Sequence, residues 1–167
     1  IVDVGGGTTD FSLFLSGREG VTILANHGVR IGGTDFDRSL SIDRVMPHLG
    51  KGTELRKILG PGSTPTPNAI FNDLATWELI AFLYTPQNRR MAAEMVRLAH
   101  EPEKLARLAT VLEDELGHEL SFAVERGKIA ANGGADSASI RLDGIEPGLV
   151  IPLSPDALTE SLARHAD

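Results

Sequence analysis

The sequence predicts an α/β fold, and three observations carry that expectation. The first 25 residues alternate apolar and polar side chains between glycines, which is the period-2 pattern of strands. From residue 67 to residue 132 the apolar side chains recur three and four apart, which is the helical period. Strand-like alternation returns at 137–142 and 149–153, before Ser154-Pro155 opens a last helix.

Each element has its own local reason. Val2-Asp3-Val4 and Ser12-Leu13-Phe14-Leu15 flank Gly5-Gly6-Gly7, so the chain begins as strand, tight turn, strand. Val21-Thr22-Ile23-Leu24 reads as a third strand, with Gly17 and Gly20 at the turn before it. Gly28 and Gly32-Gly33 then break the chain. Asp35 is placed to cap a helix over 36–46 that ends near Pro47. Residues 50–67 hold four glycines and three prolines and read as an irregular loop.

Thr66 supplies a capping hydroxyl and Pro67 the first position of a helix reaching about Tyr84. Its inner face carries Ile70, Phe71, Leu74, Trp77, Ile80 and Ala81, with Phe71 and Trp77 both read as core. A helix over 87–100 turns Met91, Met95 and Leu98 inward. Glu101-Pro102 opens a third, long helix with the stripe Leu105, Leu108, Leu112, Leu116, Leu120 and Ala123. Gly133-Gly134 ends it. On that helix Glu125, Lys128 and Asn132 fall together opposite the stripe, free to face a ligand. In the last helix Leu158 and Leu162 point inward.

Composition excludes several function classes. The chain has 167 residues, enough for a domain with a real core. It has no cysteine, hence no disulfide and no thiolate metal site, which fits a cytoplasmic location. No apolar run approaches the roughly 20 residues of a membrane span. A net charge of −7, from 23 acidic and 16 basic residues, argues against broad nucleic-acid binding. It leaves nucleotide binding open, because one nest of amides and one lysine suffice locally. The five histidines are scattered without metal-ligand spacing and read as structural. The start at Ile1, inside a strand, gives the expectation of a piece of a longer protein.

The chemistry concentrates at the first turn. Three bare backbones in a row suit the close approach of a ligand, and the amides of such a turn form an anion nest. Thr8 and Thr9 add hydroxyl donors, and Asp3 and Asp10 stand at the two ends of the turn. Asp35 and Asp37 could be read as a metal pair, but helix capping is the simpler role.

The string Asp3-Val4-Gly5-Gly6-Gly7-Thr8-Thr9-Asp10 resembles the second phosphate-binding hairpin of the seventy-kilodalton heat-shock chaperones. More broadly it is similar to the actin, sugar-kinase and heat-shock ATPase superfamily. Gly32-Gly33-Thr34-Asp35-Phe36-Asp37 resembles the family's next glycine-acidic segment, and Val124-Glu125-Arg126-Gly127-Lys128 its nucleoside-binding helix. The motifs stand in the family's order.

The resemblance implies a piece of an actin-like, ribonuclease H-like fold. Residues 1–33 would supply a hairpin sheet of the second lobe. Residues 34–153 would form an upper subdomain with a helical insertion at about 50–100, and 154–167 would begin the return to the lobe. It implies ATP or ADP with Mg²⁺ as cofactors. Gly5, Gly6, Gly7, Thr8 and Thr9 would hold phosphates, and Gly32 and Gly33 would pass close to the nucleotide. Asp3 would lie near the metal through water, and Asp10 would order the catalytic end. Glu125 and Lys128 would bond the ribose, with Asn132 in place of a hydroxyl residue.

Two positions depart from the family. Thr34 stands where the chaperones carry an acidic residue, and Ile129 where they carry an arginine that stacks on the base. ATP hydrolysis would belong to the longer parent, since this chain carries one hairpin of two. Partners would be the nucleotide and, through the parent, a client polypeptide or co-chaperone, with no nucleic acid and no membrane. Three alternatives stay open: an actin-class filament or cell-division ATPase, a sugar or acid kinase, and an interaction module without nucleotide.

Overall fold

Strands β1 (Val2–Val4), β2 (Thr9–Gly17) and β3 (Gly20–Val29) form an antiparallel sheet in the order β1-β2-β3. The register sets Val4 opposite Thr9, Asp3 opposite Asp10 and Gly17 opposite Gly20. β3 is longer than the four-residue strand expected, because the ladder runs on through His27 and Gly28. Leu13 pairs with Ala25 and Phe14 with Ile23, so Leu24 is the extra residue of a bulge. These coordinates are a computed structural model that describes residues 1–18, 20–134 and 138–165. The protein is mixed α/β, 52% helix and 22% strand, with small sheets. It divides into two units, Ile1–Phe36 and Asp37–Asp167.

Helix α1 (Gly33–Leu40) begins three residues earlier than predicted. Asp35 is therefore inside the first turn instead of capping it from outside. Its carboxylate accepts from the Gly32 amide at 2.9 Å, the back-reaching half of a capping box. The helix continues as a wide π turn (Ser41–Val45) and a 3₁₀ turn (Met46–Leu49) that holds Pro47.

Residues 50–67 are not a plain loop. β4 (Glu54–Arg56) and β5 (Ser63–Pro65) pair as a short hairpin, with Leu55 opposite Thr64. Pro65 is tolerated because it closes the end of a two-stranded ribbon. Thr66 is no helix cap. Its hydroxyl donates to the Gly50 carbonyl at 3.0 Å, which ties the two ends of this hairpin together.

The helix predicted to reach Tyr84 is two pieces, α2 (Asn68–Leu74) and a 3₁₀ segment (Trp77–Leu83). The Thr76 hydroxyl bonds back to the Asn72 carbonyl at 2.7 Å and competes with the next helical turn. The break separates Phe71, fully buried, from Trp77, which is 37% exposed. Trp77 instead meets the edges of His118 and Phe122, with ring centroids 4.7 and 5.2 Å away. α3 (Pro86–Leu98) starts on a true cap, the Thr85 hydroxyl accepting from the Asn88 amide.

The predicted long helix is also two, α4 (Pro102–Glu113) and α5 (Gly117–Asn132). Glu115, at φ 58°, turns the chain between them. Leu105, Leu108 and Leu112 from the first and Leu120 and Ala123 from the second still enter one core with Leu40, Leu49, Phe71 and Leu74. The apolar period survives the break because each helix packs its own stretch of the stripe. Gly134, at φ 77°, supplies the left-handed residue that ends α5.

β6 (Ser139–Arg141) and β7 (Val150–Pro152) pair as expected, and Ile140 and Ile151 face the core. The part of that prediction at Ser137 lies outside the described residues. α6 (Pro155–Leu162) begins at Ser154, whose hydroxyl accepts from the Ala157 amide at 3.1 Å. Arg44 fixes α6 by donating to Ser161 Oγ at 3.0 Å and the Ala157 carbonyl at 3.1 Å, beside Glu160. Among the described residues no helix is long and apolar enough to cross a membrane.

Candidate functional site

In the first unit the glycine turn joins β1 to β2. The Gly5 amide donates to the Thr8 carbonyl at 2.8 Å, leaving Gly6 and Gly7 at the tip. The start of α1 docks on this turn from below. Gly33 N–H donates to the Gly5 carbonyl at 3.0 Å, and both the amide and the hydroxyl of Thr34 donate to the Gly6 carbonyl at 2.8 Å. Gly32 must be glycine for that docking, since a Cβ there would stand 2.3 Å from the Gly6 carbonyl oxygen. Thr34, the departure from the family pattern, thus fastens the turn to the helix.

Gly6 and Gly7 differ from Gly32. Neither adopts a left-handed φ. A Cβ at Gly7 would meet nothing within 4 Å, and one at Gly6 only the Thr34 methyl at 3.9 Å. Among the described residues no acceptor takes the Gly6 or Gly7 amide. The turn therefore presents bare backbone donors that nothing in its own unit uses.

Asp3 and Asp10 sit directly opposite on neighbouring strands, and both are exposed. Thr8 Oγ1 lies 3.4 Å from Asp10 Oδ2, and Asp10 Oδ1 fills the space where Gly28 lacks a side chain. The Thr9 hydroxyl is engaged elsewhere, donating to the Ile31 carbonyl at 2.8 Å. Glycines 28, 32 and 33 therefore shape this region, with Gly28 the member that motif reading did not single out for the site.

In the second unit the trio on α5 is divided. Glu125 and Asn132 are exposed, as the helical period predicts. Lys128 is not a freely solvated side chain. Its ammonium lies 2.8 Å from Asp37 Oδ1, and the two side chains are only 17% and 16% exposed. Asp37 therefore sits inside α1 and pairs with Lys128, not at the helix cap. Burial pushes its carboxyl above the ordinary value, Lys128 draws it back down, and the nearby Glu125 charge pushes it up again. Asp37 Oδ1 is buried without a well-aligned hydrogen bond among the described residues, so the contact with Lys128 is one of charge and distance. Motif reading missed this partnership because the two residues lie far apart in sequence and meet only through packing.

Ile129, at the second departure, is 62% exposed. The histidines stay apart: among the described residues no group of three His, Cys, Asp or Glu could hold a metal ion. His165 instead shares a hydrogen bond with Ser39 Oγ at 2.8 Å. No protein-family model matches this chain, and no solved structure matches it.

Proposed function

We propose that this chain is the nucleotide-binding portion of an ATPase similar to the seventy-kilodalton heat-shock chaperones, with an actin-like fold and a cytoplasmic location. The observation that carries this reading is the tip of the glycine turn. Two glycines there answer to no backbone or packing demand of their own unit, and their amides lack acceptors among the described residues. A phosphate group accounts for both, because it needs close approach and accepts N–H donors.

Gly5, Gly6, Gly7 and Thr8 would take the phosphates. The facing carboxylates of Asp3 and Asp10 suit a hydrated Mg²⁺, since like charges directly opposite are destabilising without a cation. Mg²⁺ keeps several of its waters, so two carboxylates acting through water are an adequate donor set. Bound there, it would neutralise phosphate charge during transfer to water. Asp3 and Asp10 would orient that hydrated ion, and the turn amides would hold the phosphate oxygens. Glu125 and Lys128 would take the ribose, with Asn132 a further hydrogen-bonding group on the same helix. Ile129 offers an apolar contact but no guanidinium stacking, so base preference would be weak.

Titration calorimetry of Mg-ADP tests the reading, with wild type beside Gly6→Val. Saturable binding that weakens about tenfold or more in a folded Gly6→Val variant supports it, that being the scale of one lost charge-assisted bond. A folded wild type that takes up no Mg-ADP sinks it.

A further inference from the structure

We propose that Asp37 is a positioning residue: its carboxylate holds the Lys128 ammonium in the orientation that receives the sugar hydroxyls of a nucleotide. This inference rests on the nucleotide reading and deepens it. The geometry is specific. Asp37 comes from α1 and Lys128 from α5, their charged atoms lie 2.8 Å apart, and both side chains are more than four-fifths covered.

Stability does not explain the pair. Removing two charges from water is expensive, and well-packed apolar residues in place of such pairs are often neutral or better. Here burial outweighs the attraction of Lys128, and Glu125 adds repulsion, so the charged form of Asp37 is disfavoured. Its Oδ1 is also left without a well-aligned hydrogen bond among the described residues. A buried carboxylate kept at such a cost marks a site where position matters more than stability. A lysine on a four-carbon stem has many rotamers. A fixed carboxylate removes that freedom in advance, which is how preorganisation raises affinity. Glu125, one turn away on the same helix, then faces the same hydroxyls from the exposed side.

The test compares ADP, 2′,3′-dideoxy-ADP and inorganic pyrophosphate, each with Mg²⁺, on the whole chain. Wild type is expected to prefer ADP over the dideoxy analogue by about tenfold, the worth of hydrogen bonds to a charged group. Asp37→Asn is expected to lose most of that preference while its pyrophosphate affinity stays the same. A simple packing role would move the melting temperature and leave the preference intact. If Asp37→Asn does not fold, Asp37→Glu carries the comparison, since it keeps the charge and shifts it by one methylene. A reduced preference in that variant supports positioning, and an unchanged preference overturns it. Wild-type preference retained in Asp37→Asn overturns this inference alone. Absence of any ADP binding by folded wild type overturns the nucleotide reading and this inference together.

Discussion

Gly32→Ala and Gly7→Ala should behave oppositely, although both add one methyl near the same turn. At Gly32 the new Cβ would stand 2.3 Å from the Gly6 oxygen, 2.5 Å from the Gly6 carbon and 2.6 Å from the Gly7 nitrogen. All three are backbone atoms, so no side chain can swing aside. Relief requires the start of α1 to lift off the turn. That motion breaks the Gly33-to-Gly5 bond and both Thr34-to-Gly6 bonds. At about 1 kcal/mol net for each hydrogen bond, the first unit loses about 3 kcal/mol. Gly7→Ala meets nothing within 4 Å and needs no left-handed φ. Its stability should change by less than about 1 kcal/mol, with the unfolded-state entropy effect favouring alanine. Hydrogen exchange at the Gly33 and Thr34 amides is the assay, since it reports the docking directly and separates the two units. Exchange about a hundredfold faster in Gly32→Ala, and unchanged in Gly7→Ala, is the expected result. Wild-type protection in Gly32→Ala would refute the packing argument. A large loss in Gly7→Ala would refute the claim that the turn tip is unconstrained by its own unit.

Other outcomes follow from the second unit. Lys128→Ala strips the partner from a buried carboxylate and should destabilise by about 2–4 kcal/mol at neutral pH in urea denaturation. Because the folded-state carboxyl of Asp37 lies above its ordinary 3.8, its ionisation costs stability as pH rises through that raised value, and the cost is absent below 3.8. Asp37→Asn should therefore gain on wild type as pH rises across that window, and parallel stability–pH curves would contradict this. Arg107 holds the Glu146 carboxyl below its ordinary value, so that contribution is present above pH 4.5 and fades as pH falls. Arg107→Gln should flatten the acid limb of the stability curve. Arg44→Ala removes three hydrogen bonds to α6, those to Ser161, Ala157 and Glu160, so α6 amides should exchange at least tenfold faster while α4 amides stay unchanged.

Local chemistry made much of the fold legible. Alternation at residues 1–25 gives the hairpin sheet, the helical period gives the core residues Leu105, Leu108, Leu112 and Leu120, and Ser154 is a cap by residue type. What misled was continuity. The period-3.6 stripe runs unbroken across Asp114–Leu116, yet Glu115 takes a left-handed φ of 58° there and ends one helix before the next begins. Thr66 has the residue type of a cap, but its hydroxyl serves Gly50 in a hairpin that glycine and proline counts disguise as loop.

At the candidate site the division is the same. Residue types and spacing alone placed the glycine turn, Asp3 and Asp10 at its two ends, and the side of the helix that carries Glu125, Lys128 and Asn132. Those follow from two fixed periods and from which residues lack a Cβ. The pairing of Asp3 opposite Asp10 came from the sheet register. Packing shows what composition cannot: Gly32 must lack a Cβ for helix docking, while a Cβ at Gly6 or Gly7 would meet no close contact. It also decided that Lys128 meets Asp37. Contacts between residues distant in the chain depend on how elements pack, and side-chain periodicity records which face is buried, not what lies against it.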